Sequence, residues 1–144
     1  MIDLADEKAL HECLAALSAK GLIHSASDLS GGGYAVGLAE ASFANGIGCE
    51  VVLHAVPDAP LPVALFGERA HHVLITCAEA NLPAIHEVAD SYDFTYPQVI
   101  GKTKRESIDI SVDGKSLIAA TVAELKSAWS KALQSTLSVD TVTA

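Results

Sequence analysis

From Leu22 to Glu40 the chain reads LIHSASDLSGGGYAVGLAE. Asp28, Ser30 and three consecutive glycines (Gly31, Gly32, Gly33) stand there where a short strand, Leu22 to Ala26, gives way to a helix from about Tyr34 to Asn45. Backbone N–H groups at the start of a helix meet at the positive end of its dipole, a place that suits a phosphate or a carboxylate. Glycine serves such a turn because it tolerates positive φ and lets a ligand reach the main chain without a Cβ in the way. The same glycines would equally make a tight strand-to-helix turn with close packing behind it, and both readings stand. The spacing is neither the G-x-G-x-x-G of a dinucleotide fold nor a P-loop, which needs Gly-Lys-Ser/Thr. Asp28 is placed to brace the turn as an Asx motif or to bind ligand hydroxyls. Glu68, just after Phe66 and Gly67, is a second acid beside a flexible residue at the entrance to a strand. Asp28, Ser30, Gly31, Gly32, Gly33 and Glu68 are thus the candidate ligand- or phosphate-binding residues.

The remaining reactive side chains form no recognisable constellation. His11, His24, His54, His71, His72 and His86 fall on several predicted elements, and no pair has H-x-x-x-H spacing. Adjacent His71 and His72 point to opposite faces of a strand, so they cannot simply chelate one ion. No metal site built by this chain is expected. There is no G-x-S-x-G elbow and no identifiable Cys/His pairing, so no catalytic residue is assigned. Cys13, Cys49 and Cys77 are odd in number, far apart and without C-x-x-C, which fits reduced thiols in the cytoplasm.

Composition narrows the class further. The formal charge of −9 argues against general nucleic-acid binding, which rests on neutralising phosphates. The one basic cluster, Lys102, Lys104 and Arg105, reads either as a solvated hairpin end or as an anion site. Half of the 144 residues are hydrophobic and mean hydropathy is +0.33, so much of the surface is expected to be buried, in a core or against other domains. No apolar run approaches the 18 or so residues of a membrane span, and no signal-peptide pattern opens the chain. One domain over 1–137 is expected, with 138–144 as a frayed tail.

These residues need elements to hold them. Leu10, Cys13, Leu14 and Leu17 recur at helical spacing before Gly21, a C-terminal cap. After the glycine turn, Val36, Ala39 and Phe43 share a helix face, and Cys49 to Val56 reads as a strand. Pro57, Pro60 and Pro62 mark a loop, and Val63 to Glu68 leads into a strand over His72 to Cys77. A helix from about Pro83 to Ser91 follows, then strands over Tyr96 to Lys102 and Ser107 to Val112. Asp113-Gly114 predicts a hairpin returning through Leu117 to Ala119. Thr121-Val-Ala-Glu124 is a capping box opening a helix whose face is Val122, Leu125, Trp129 and Leu133, with Trp129 expected in the core. The order α-β-α-β-β-α-β-β-β-α, with its hairpin, predicts a layered α/β (α+β) domain around a mixed sheet.

HSASDLSGGGYAVGLAE resembles the motif Ser-Ala-His-Asp-Val-Ser-Asp-Gly-Gly-Leu-Ala-Val-Ala-Leu-Ala-Glu of the carboxy-terminal domain of the phosphoribosylformylglycinamidine synthase family. LFGE (Leu65 to Glu68), IGKT (Ile100 to Thr103) and VAELKSAWSKAL (Val122 to Leu133) are similar to further segments of that family, in register over nearly the whole chain. Ser27 stands where the family usually has His, Gly31 where it has Asp or Glu, Arg69 where it has Ser, and His72 where it has Arg.

The resemblance implies a fold like the carboxy-terminal domain of aminoimidazole ribonucleotide synthetase. It implies a role in an ATP-dependent C–N ligase of purine biosynthesis, which converts formylglycinamide ribonucleotide to the amidine. ATP and magnesium would act in the full enzyme, with the catalytic His, the ATP site and most magnesium ligands on amino-terminal domains outside this chain, so the isolated domain is expected to be inactive. Glutaminase and small accessory subunits are the further partners implied, with no nucleic acid and no membrane. Aminoimidazole ribonucleotide synthetase, hydrogenase-maturation and selenophosphate-forming relatives, or a non-catalytic scaffold or regulatory module, are the alternatives.

Overall fold

The computed structural model describes residues 3–68, 72–92 and 97–139. Its elements are α1 (Leu4–Ala19), β1 (Ser25–Asp28), α2 (Gly33–Phe43), β2 (Ile47–Leu53), α3 (Pro62–Phe66), β3 (Val73–Thr76), α4 (Leu82–Asp90), β4 (Gly101–Arg105), β5 (Ser107–Val112), β6 (Lys115–Thr121) and α5 (Val122–Val139), with a 3₁₀ turn over Glu79–Asn81. They fall into two compact units, Met1–Gly33 with Glu68–Val99, and Tyr34–Gly67 with Ile100–Ala144. No helix among the described residues is long and apolar enough to cross a membrane.

In the first unit, Asp3 caps α1 by accepting a bond from Ala5 N at 2.8 Å. The helix ends as its glycine requires. Gly21 sits at φ +66°, and Gly21 N and Leu22 N donate back to Ser18 O and Leu17 O, the paired bonds of a Schellman motif. Cys13 and Leu17 of α1 pack with Ile85, Val88 and Ala89 of α4, and Leu22, Ile23, Ile75, Cys77 and Tyr92 close the cluster. β1 and β3 pair antiparallel, Ser25 opposite Thr76 and Asp28 opposite Val73.

The second unit holds a four-stranded mixed sheet in the order β4-β2-β5-β6. β2 runs parallel to β5, while the outer pairs are antiparallel. Period-two alternation buries Cys49, Val51 and Leu53 of β2 and Ile108, Ile110 and Val112 of β5 on one face. Two glycines permit the tight strand contacts: a Cβ on Gly48 would strike the Ser107 backbone, and one on Gly101 the Glu50 backbone. Asp113 and Gly114 both take positive φ, +48° and +79°, giving the twisted turn their dipeptide favours. At the start of α5, Glu124 N donates to Thr121 Oγ1 at 3.2 Å while Thr121 N donates to Glu124 Oε2 at 2.9 Å, the capping box in full.

Several expectations need correction. The first strand covers Ser25–Asp28 and runs into the turn, because its ladder with β3 begins at Ser25. Residues read as leading into a strand form α3, with Pro62 in its first turn, where its missing N–H costs nothing. The strand expected over Tyr96 to Lys102 begins at Gly101 and carries Lys102, Lys104 and Arg105 in its ladder with β2; Tyr96 lies outside the described residues. On α2 the buried side chains are Leu38 and Ser42. Ser42 escapes an unmet hydroxyl by donating to Leu38 O at 2.8 Å. Trp129 is not core: it is 61% exposed, its ring 5.7 Å from that of Phe43. Val122 is buried and Leu125 half-buried, so the apolar face of α5 outruns the surface that covers it. The helix continues to Val139, two residues past Leu137.

Candidate functional site

β1 delivers the chain to the glycine turn. Asp28 ends the strand and is exposed; Leu29 is buried and its N–H donates to His72 O at 3.2 Å, which ties the turn to the segment before β3. Ser30 and Gly31 are exposed. Gly32 and Gly33 then take φ of +76° and +65°, a left-handed pair that side chains with a Cβ adopt at a cost. Gly33 opens α2.

Glu68 comes back to this turn from 36 residues away. Its Oε1 accepts the Gly32 N–H at 3.0 Å. An ionised acceptor on a backbone N–H near a helix start gains from both the charge-assisted bond and the helix dipole. The structure therefore joins Gly32 and Glu68, two residues read separately along the chain, in one contact. It also shows that a donor expected to face an external anion is taken by the chain's own carboxylate. Asp28 and Ser30 make none of the described hydrogen bonds to the turn, which is held by Leu29 and Glu68.

Elsewhere the reactive groups are dispersed. Among the described residues no three of His, Cys, Asp and Glu come together to hold a metal ion. His11 faces Glu7 at 3.6 Å on α1, and His71 lies outside the described residues. One pairing was hidden in the sequence: Asp113, at the hairpin turn, lies 3.2 Å through Oδ1 from His54 Nδ1 and accepts Ala55 N at 3.3 Å. The parallel pairing of β2 with β5 brings these two positions, 59 apart in the sequence, together. The cysteines are free thiols; burial pushes Cys13 and Cys49 up, with Lys104 pulling Cys49 partly back. Lys102 is answered by Glu50 at 3.5 Å and Lys104 by Asp109, so acids across the sheet occupy the two lysines of the basic cluster.

Comparison with known proteins places the chain. Residues 1–113 match the family described as AIR synthase related protein, C-terminal domain. The PurL subunit of phosphoribosylformylglycinamidine synthase from Chlorobaculum tepidum is 37% identical over 96% of this chain and 19% of its own length. The PurL subunit of Thermoanaerobacter pseudethanolicus is 32% identical over 89% of this chain and 17% of its own. The chain thus spans about a fifth of the length of these curated relatives. Among solved structures, PurLQS from Thermotoga maritima superposes with a TM-score of 0.75 at 20% identity, over 87% of this chain and 22% of that one. T. maritima PurL complexed with ATP gives 0.72 at 19%, over 86% and 22%. At those identities the structures establish the fold, and it is the layered α/β arrangement with a mixed sheet expected from the sequence. With four-fifths of its residues inside the family match, the chain belongs to the AIR synthase related C-terminal domain family.

Proposed function

We propose that this chain works as the carboxy-terminal domain of a phosphoribosylformylglycinamidine synthase, a cytoplasmic ATP-dependent ligase that turns formylglycinamide ribonucleotide into its amidine. The observation that carries this reading is the 37% identity to a PurL subunit across 96% of the chain. In such an enzyme ATP and magnesium drive the amide activation, and the chemistry falls to amino-terminal domains of the same polypeptide, with a glutaminase and a small accessory subunit supplying ammonia.

Asp28, Ser30, Gly31, Gly32, Gly33 and Glu68 are this chain's contribution to ligand binding. The fit to a phosphate is partial: Gly31 is exposed and Gly32 half-buried, but Gly33 is buried and Glu68 already holds Gly32 N–H. A phosphate must share or displace that carboxylate, so its affinity for this domain is weak. Replacing the matched segment of the C. tepidum PurL subunit with this chain, and measuring ammonia- and formylglycinamide ribonucleotide-dependent ADP release, tests the reading. Retained turnover by the chimera, and none by the free chain, is the expected result. A chimera that folds but does not turn over would reject it.

A further inference from the structure

We infer that the exposed apolar ridge on the second half of α5 is the surface by which this domain docks against the remainder of its ligase chain, an inference that rests on the PurL-type reading above. Trp129, Leu133 and Leu137 recur every fourth residue and are 61%, 71% and 60% exposed. Residues four apart lie on one helix face, so the three form a single ridge. Every described residue from 128 to 137 is exposed. A helical stretch of that length is marginal in water unless something packs on it, and a contiguous apolar ridge marks where that packing occurs.

Area decides what kind of cover it takes. The three side chains together expose apolar surface on the order of 400 Å². A stable complex between separate proteins buries about 800 Å² on each side. A second copy of the chain, or a freely diffusing subunit, would fall short by half if it used this ridge alone. A tethered surface does not, because a covalent link supplies a local concentration in the millimolar range. The chain spans 19% of the C. tepidum PurL subunit, so in such an enzyme most of the polypeptide is available as a tethered cover. The family match ends at residue 113, before α5 begins at Val122, whereas the PurL relative aligns over 96% of the chain. With 96% of the chain aligned, the ridge on α5 falls within the stretch that aligns with the PurL relative.

The test compares the free 144-residue chain with the C. tepidum chimera, each carrying Leu133→Cys or Lys131→Cys. Maleimide labelling is followed peptide by peptide, which separates the new thiol from the native cysteines. Both positions should react at similar rates in the free chain. In the chimera, position 133 should slow about tenfold or more while position 131 stays fast. Equal reactivity at 133 in the two proteins, or equal slowing at both positions, overturns the docking. A catalytically active chimera with 133 unprotected overturns the docking alone, whereas an inactive one with 133 protected upholds the docking and counts against the enzymatic reading. As a second arm, the free chain carrying Leu133→Glu, which leaves the contact of Trp129 with Phe43 in place, should melt within about 2 °C of the parent. A larger drop would show that the ridge packs within this chain, and would overturn the proposal.

Discussion

Lys104 on β4 is ion-paired with Asp109 on β5, although β2 lies between them in the sheet. Its register partner on β2 is Gly48, and that of Asp109 is Glu50, so the pair runs diagonally over a strand whose nearest residue has no side chain. Both groups are about one-third exposed, which limits what the attraction is worth. Lys104→Ala should cost about 0.5–1 kcal/mol in urea unfolding. Half-molar salt should shrink the difference from wild type, since screening acts on the pair and not on the lost methylenes. An unchanged difference would mean packing of the lysine stem, not charge, is what was removed.

Gly48→Ala should be far more damaging than its size suggests. The added methyl would enter the Ser107 backbone, which the parallel pairing of β2 with β5 holds in place. Overpacking against main chain costs roughly 1–3 kcal/mol and here belongs at the top of that range. An equilibrium denaturation midpoint equal to wild type would show that the two strands can part without penalty.

The capping box should be visible in the acid limb of stability. Thr121 backbone and hydroxyl donors hold the Glu124 carboxyl below its usual range. A depressed folded value means the stabilisation is complete above the ordinary glutamate pKa and is lost as pH falls through the depressed one. Helix content measured by circular dichroism should decline over that window, and Glu124→Gln should flatten the decline. Thr121→Ala should cost about 1 kcal/mol near neutrality by removing the hydroxyl that meets Glu124 N. A wild-type curve that Glu124→Gln leaves unaltered would contradict the assignment.

Trp129 is the chain's single tryptophan, so its emission reports α5 directly. It should fluoresce at the red-shifted wavelength of a hydrated indole. Trp129→Ala should cost only the tilted contact with Phe43, about 0.5–1.5 kcal/mol. Blue emission, or a loss of several kcal/mol, would restore the core placement that the helical spacing first suggested.

Much of this fold was legible because local chemistry and tertiary structure agree. Gly21, Asp113-Gly114 and Thr121-x-x-Glu124 each solve a problem of unpaired backbone groups within a few residues, and each does in the structure what its residue types require. The alternation of Ile108, Ile110 and Val112 likewise foretold the buried face of β5. What escaped depends on partners distant in the chain. The spacing of Val122, Leu125, Trp129 and Leu133 identifies an apolar face but not how far its covering surface extends. The bond from Gly32 N to Glu68 and the pairing of His54 with Asp113 need ladders that bring positions 36 and 59 apart into contact. A string of helices and strands does not fix which ladders form. The candidate site was therefore legible as two separate segments, and their joining was not.

The two units are interleaved along the chain: 1–33 and 68–99 make one, 34–67 and 100–144 the other. The polypeptide passes from one to the other three times. Neither unit is a continuous stretch of gene, so neither can be copied, lost or exchanged by a single recombination event that leaves the other whole. Any insertion between domains of a larger enzyme must carry both together. A nick at the middle crossing leaves each fragment with only part of either unit, whereas a nick at the first crossing spares the second unit and a nick at the last spares the first.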